Sequence, residues 1–204
     1  MREERHYDKA KELLEKSLAI HTNVFEDNNI RTGLVLFHLG NLYKDMGEFE
    51  KAKTLLEKSL IAHEQNYGKN HIETMRVLRS LGQNYLLKGH LPTAQEYLSK
   101  VEEIFQKNNH PDVYMVFEDL AELYLKKAML EANKGDTKQS QAFQIQATSY
   151  LKQALEVVKT HFPKDTPHIL RIQNKIEKLK GMNSLLQEKT IRPKVYPAYT
   201  RYIF

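Results

Sequence analysis

A 42-residue internal repeat constrains this chain more than any other feature. Residues 33–68 carry Leu36, Leu39-Gly40, Tyr43, Gly47, Phe49, Ala52, Leu56 and Ser59; Leu78, Leu81-Gly82, Tyr85, Gly89, Leu91, Ala94, Leu98 and Val101 follow, each 42 positions later, within 75–107. Self-similarity at such a period means stacked supersecondary units. Leu36, Leu39 and Tyr43 recur at i, i+3 and i+7, one face of a first helix. Gly40 lies on that face and admits a second helix at close range, with Ala52 the expected small partner. Gly47 falls between the two apolar runs, where a tight turn or a positive φ is needed. Leu56 and Ser59 continue the inner face of the second helix. Neither helix buries its stripe alone, so the units must stack.

The same register organises the rest of the chain. Tyr7, Ala10, Leu14 and Ser17 stand one period before Phe49, Ala52, Leu56 and Ser59. Residues 6–24 are therefore a second helix without a first, a half repeat. Its stripe is expected to meet another copy or another chain, or to belong to a longer array. Full units follow at about 31–66, 72–107 and 111–161. The third has Ala121 at the glycine position and extra residues around Gly135-Asp136, which are expected to lengthen both helices and leave a polar loop near 133–139. A capping helix is expected over 166–181, striped by Ile169, Ile172, Ile176 and Leu179, with a further short helix near 182–189. The solenoid thus spans 1–190. Residues 191–204 lose helical period and hold four aromatics, which predicts an extended tail docked on a solenoid surface.

The order L-x2-L-G-x2-Y, then Gly, Ala and Leu, resembles the tetratricopeptide repeat, with Leu where that repeat often has Trp. The period exceeds the usual length of about 34 residues. The excess lengthens the second helix and adds a Gly-Lys-Asn-His linker, which resembles the kinesin-light-chain type. The stretches SLIAHEQNYGKNHIETMRVLRSLGQNYLLKG and KNNHPDVYMVFEDLAELY carry the likeness, which covers about residues 6–180. The resemblance implies an all-α, right-handed superhelical solenoid of antiparallel helix pairs. It also implies a concave groove, lined by first helices, that holds a peptide or helix of a partner in a scaffold or adaptor role. An alternative is a peptide-sensing domain of a bacterial regulator.

With Gly40 as a marker, the inward positions of the first helices can be read. The candidate groove residues are Phe37, Asn41 and Lys44 in the first unit, Arg76, Arg79 and Gln83 in the second, and Glu118 and Glu122 in the third. Arg can take a carboxylate bidentately and Asn can hold a backbone amide, so Asn41, Arg76 and Arg79 are read as a trio for an acidic group. Changing both arginines to Ala is then expected to spare the fold and weaken binding. The competing reading is that these arginines pair with Glu118 or Glu122 on the next helix. A chaperone-tail clamp is disfavoured, because Phe37, Asn41, Ser80, Met115 and Asp119 occupy its positions and only Asn41 matches.

Other chemistries find little support. The chain has no Cys and hence no thiolate or disulfide chemistry. His21 and His63 share one repeat position and His71 and His110 another, which reads as service to the repeat. No metal-ligand spacing, phosphate-binding loop or nucleophile elbow occurs, so no enzyme, metal or cofactor is expected. No apolar run is long enough to span a membrane, and a cytoplasmic location is the default expectation. Residues 1–125 hold 16 Lys and Arg against 20 Asp and Glu, whereas 126–204 hold 15 against 6. The basic end raises nucleic acid as a partner, but interleaved stacking aromatics are missing. A protein or peptide partner is expected instead, with homo-oligomer contacts possible through helix 6–24 or the tail 191–204.

Overall fold

A computed structural model describes the backbone of residues 2–24 and 28–191, with side chains over 7–24 and 28–181. The helices are α1 (Arg2–Val24), α2 (Ile30–Asp45), α3 (Phe49–Tyr67), α4 (Ile72–Lys88), α5 (Leu91–Lys107), α6 (Val113–Asn133), α7 (Thr137–His161) and α8 (Pro167–Ile191). Three hairpins, α2–α3, α4–α5 and α6–α7, stack in order, with α1 before and α8 after them. The first helices also touch directly, α2 on α4 and α4 on α6.

The sequence explains each hairpin. Gly47 (φ 80°) and Gly89 (φ 88°) turn the chain in the left-handed region that residues with a Cβ avoid. Pro92 sits in the first turn of α5, where a missing N–H costs nothing. The glycine on the first helix does permit close approach, but its partner differs from expectation. A Cβ on Gly40 would lie 2.8 Å from Leu56 Cγ, and one on Gly82 would lie 3.0 Å from Leu98 Cγ. Leu56 and Leu98, not Ala52 and Ala94, fill the space that the glycines vacate. Gly33 makes a second such approach, 2.7 Å from Ala62 Cβ, and its carbonyl accepts the Ser59 hydroxyl at 2.8 Å.

A continuous core runs from α4 to α8 through Met75, Leu98, Phe105, Phe117, Leu151 and Ile172. A smaller cluster of Leu39, Tyr43 and Ala52 joins α2 and α3 to Leu14 and Leu18 of α1. Two stacked tyrosine pairs fasten the later hairpins. Tyr85–Tyr97 and Tyr124–Tyr150 share a centroid distance of 5.6 Å and an interplanar angle of 16°. In the first hairpin Leu55 replaces the second ring, and Tyr43 instead donates to Glu15 of α1 at 2.8 Å.

The extra residues of the third unit are almost wholly helical. The turn shrinks to Lys134-Gly135-Asp136, tighter than the expected loop, and Asp136 caps α7 by accepting from Gln139 N at 2.9 Å. Likewise α8 is one helix to Ile191 rather than two. It buries Ile172, Ile176 and Leu179 and leaves Gln173, Glu177 and Lys180 exposed. The expected docking of the tail concerns residues outside those described.

Candidate functional site

The inward side chains of α2, α4, α6 and α8 share one layer, and hydrogen bonds knit it together. Asn41 donates to Phe37 O at 3.0 Å and accepts from Lys44 Nζ at 2.9 Å. Lys44 also donates to Gln83 Oε1 at 2.7 Å, crossing from α2 to α4. Gln83 donates to Asp119 Oδ1 at 3.0 Å, and Arg79 Nε donates to Asp119 Oδ2 at 2.6 Å, crossing from α4 to α6. Arg76 bonds Glu73 at 2.9 Å and Asp112 at 2.8 Å. The buried carboxylate of Glu118 accepts from Arg171 at 2.5 Å and Lys175 at 2.8 Å, crossing from α6 to α8. These crossings occur because neighbouring first helices lie within reach of two long side chains. Lys44 is buried, and that burial lowers its pKa from the usual lysine value.

All eight expected groove residues thus lie on the first-helix layer, but the expected trio is not an open clamp. Arg79 and Arg76 are engaged by Asp119 and Asp112, and Asn41 by Phe37 and Lys44. The competing reading of an intramolecular pair describes the arginines, with different acids from the two named for it. Glu118 is committed to α8. Phe37 is half-buried, edge-on to His38 at 5.4 Å. Glu122 is exposed, 3.8 Å from Lys126.

Sequence reading missed Asp112, Asp119, Arg171 and Lys175. A signal for one of them existed: Asp119 stands 36 residues after Gln83 and 40 after Arg79, about one repeat on.

Two adjoining clefts remain open on this layer. One, of about 270 Å³, lies between α6 and α8, with Ala121, Leu125 and Leu179 as apolar lining and Glu122, Lys175 and Lys178 at its polar edge. The other, of about 220 Å³, lies over α2, α4 and α6 and includes Lys44, Asp45, Leu86 and Glu122. Glu122 belongs to both. Their mixture of apolar surface and a few charges suits a peptide side chain better than a reacting centre.

The histidines that recur with the repeat have structural work. His63 is buried against Phe37 and Tyr67, with Nδ1 2.8 Å from Ser59 O. Its burial lowers its pKa, opposed by that carbonyl. His71 and His110 accept from Glu73 N and Asp112 N, each at 3.2 Å, where a first helix begins. Among the described residues no group of His, Asp and Glu could hold a metal ion, and no helix is long and apolar enough to cross a membrane.

Comparison with known proteins gives a consistent likeness. A family model described as tetratricopeptide repeat matches residues 1–60 and 37–107, more than half of the chain. A crystal structure of nearly identical TPR-like repeats from Podosopora anserina, assigned to a kinesin light chain, is 20% identical with a TM-score of 0.65, over 91% of this chain and 83% of that one. A single-residue variant of that protein gives 20% and 0.66 over 91% and 82%. BtubC (BKLC) from P. vanneervenii is 15% identical with a TM-score of 0.55, over 100% of this chain and 82% of that one. At these identities the likeness shows the fold, an all-α right-handed superhelical solenoid of antiparallel helix pairs. No curated protein matches the chain.

Proposed function

The chain belongs to the tetratricopeptide repeat family, and from that premise we propose that it is a non-enzymatic scaffold or adaptor module holding an extended peptide or helix of a partner in its groove. Domains of this family serve protein–protein interaction in general. The observation that carries the specific reading is the pair of adjoining clefts on the first-helix layer. They join apolar surface to side chains with bonding capacity to spare, while the surrounding ladder holds the helices in place. The groups offered to a partner are Glu122, Lys175, Lys178 and the lining of Leu86 and Leu125, rather than the arginine pair.

The test is selection of peptides from a displayed random library on the full chain, followed by affinity measurements on two variants. Lys178→Glu and Glu122→Lys change exposed groups and leave the Lys175–Glu118 bond in place, so both should keep the parent helicity. Selected peptides should lose at least about tenfold in affinity for one or both, as about 1.4 kcal/mol of lost charge pairing requires. Peptides that bind both variants as well as the parent would move the site off this layer.

A further inference from the structure

The second candidate surface is the outer face of α1, the one that α2 does not cover. Ala10, Leu13, Ser17, Ile20 and Val24 follow one another at spacings of three and four, the seam of a coiled coil. This line differs from the face that α1 turns to α2. There Leu14 and Leu18 pack on Leu39 and Tyr43, Glu15 accepts the Tyr43 hydroxyl, and Lys11 lies 5.7 Å from the Tyr43 ring. On the seam Leu13, Ile20 and Val24 are 59%, 62% and 66% exposed. Three large aliphatic side chains thus stand on one line of one helix. Single exposed apolar residues need no explanation, but an aligned set does.

The repeat shows what kind of object fits. The seam corresponds to Ala52, Leu55, Ser59, Ala62 and Asn66 of α3, and through Ala52, Ser59 and Ala62 that face is buried against α2. It is therefore a helix-binding face by continuity with an interface the molecule already contains. Its dimensions differ. Ala62 admits Gly33 at a distance that leaves no room for a Cβ, whereas α1 has Ile20 there, and Val24 in place of Asn66. A glycine-bearing first helix cannot come that close to Ile20. A helix at the ordinary interaxial distance of about 8–10 Å, with large seam residues of its own, can.

Charge narrows the occupant further. Lys9 and Lys16 are both exposed along one edge of the seam. Lys16 pairs with Glu12, 2.6 Å away and equally exposed, so exchanging that partner costs little. A second α1 packed antiparallel would bring this lysine edge against its own copy. The α8 of another copy fits no better, because its outer face is Gln173, Glu177 and Lys180. We propose that the outer face of α1 docks an amphipathic helix of a different protein. That helix has an apolar seam at three-four spacing and carboxylates along the edge that meets Lys9 and Lys16. This does not depend on the groove reading.

The probe is a synthetic helical peptide of about three heptads, with Leu and Ile at the seam positions and Glu at the flanking ones, and a companion carrying Lys in place of Glu. Binding to the full chain is read by fluorescence anisotropy. The Glu peptide should bind at least about tenfold tighter than the Lys peptide. Leu13→Glu/Ile20→Glu should reduce that binding at least about tenfold, with helicity and melting unchanged because both side chains are exposed. Equal binding of the two peptides, or binding that survives the double variant, would overturn the proposal. Survival in the double variant with loss in Lys178→Glu would place the peptide in the groove. A dimer in sedimentation that the double variant breaks, with no peptide binding, would assign the face to a second copy and overturn it equally.

Discussion

Replacing Arg79 by Ala tests whether the groove arginines are ligands or fasteners. Arg79 Nε lies 2.6 Å from Asp119 Oδ2, and the two side chains are only 20% and 12% exposed. Removing the guanidinium leaves Asp119 a buried carboxylate with one neutral donor, Gln83. Breaking a buried pair from one side costs about 3–5 kcal/mol, and an exposed pair contributes about 0–1 kcal/mol. The small residual exposure puts this pair at about 2–3 kcal/mol. Arg76 is the internal control: it is 42% exposed, shared between Glu73 and Asp112, and its loss should cost about 1 kcal/mol or less. Repeat arrays can unfold in parts, so the assay is urea unfolding followed by circular dichroism at several wavelengths, with melting as a second readout. At about 2–4 °C per kcal/mol for a chain of this size, Arg79→Ala should melt about 4–12 °C lower and Arg76→Ala no more than about 4 °C lower. Arg79→Ala/Asp119→Ala should recover much of the loss, with a coupling energy of about 2 kcal/mol. If Arg79→Ala costs no more than Arg76→Ala, within about 0.5 kcal/mol, the reasoning fails and the ladder is ornament on an otherwise sufficient apolar core.

Other changes should follow the same physical logic. Gly82→Leu should cost at least about 3 kcal/mol or melt the α4–α5 hairpin, because Leu98 already fills that space; Gly82→Ala should be milder, and urea unfolding of the pair measures the difference. Burial, reinforced by the bond to Glu15, pushes the Tyr43 hydroxyl up to about 12 from 10.0. Folded Tyr43 therefore holds its proton more tightly than unfolded Tyr43, so its contribution is intact below about pH 10 and is lost as pH rises toward 12; a stability profile across that window should flatten in Tyr43→Phe. His63 shifts the other way, below its ordinary 6.5. Its contribution is intact above pH 6.5 and is lost as the unfolded chain takes up a proton at lower pH, a slope that His63→Gln should reduce.

Period and spacing made the helix pairs legible because apolar stripes and turn glycines are local signals. Leu36, Leu39 and Tyr43 mark a face within one helix, and Gly47 marks its end, with no knowledge of anything else. The details that escaped are relations between segments. Leu56 rather than Ala52 meets Gly40 because the helix crossing, not the residue size, decides which side chain faces the gap. The Tyr124–Tyr150 stack repeats Tyr85–Tyr97, but its rings stand 39 and 53 residues on rather than 42, the second carried furthest by the lengthened α6 and α7. A capping helix to 181 and a separate short helix near 182–189 were expected. A Cβ on Gly181 would meet nothing within 4 Å, and a mid-helix glycine costs only about 1 kcal/mol, so α8 runs through it. The candidate groove was legible as a set of inward positions, not as a set of bonds. Asp119 was weighed only as a mismatch to another motif, never as the partner of Arg79 one repeat before it.

The same ladder bears on how a partner would be held. Each of Asn41, Lys44, Gln83, Arg79, Asp119 and Glu118 already has a partner, so a ligand that displaced one would have to replace its bond or leave a buried polar group unmade. That loss of about 1–3 kcal/mol cancels most of what a new hydrogen bond gains. Recognition is therefore cheapest where side chains reach solvent, at Asp45, Glu122 and Lys178, and at Lys175, whose exposed ammonium keeps donors beyond its bond to Glu118. These are not evenly spread: Asp45 belongs to the cleft over α2 and α4, whereas Lys175 and Lys178 belong to the one beside α8. A segment lying across both clefts meets a carboxylate at one end and two ammonium groups at the other, with apolar surface and Glu122 between. Charge order alone would then favour one direction of the bound chain over its reverse, with α8 at the acidic end of the ligand.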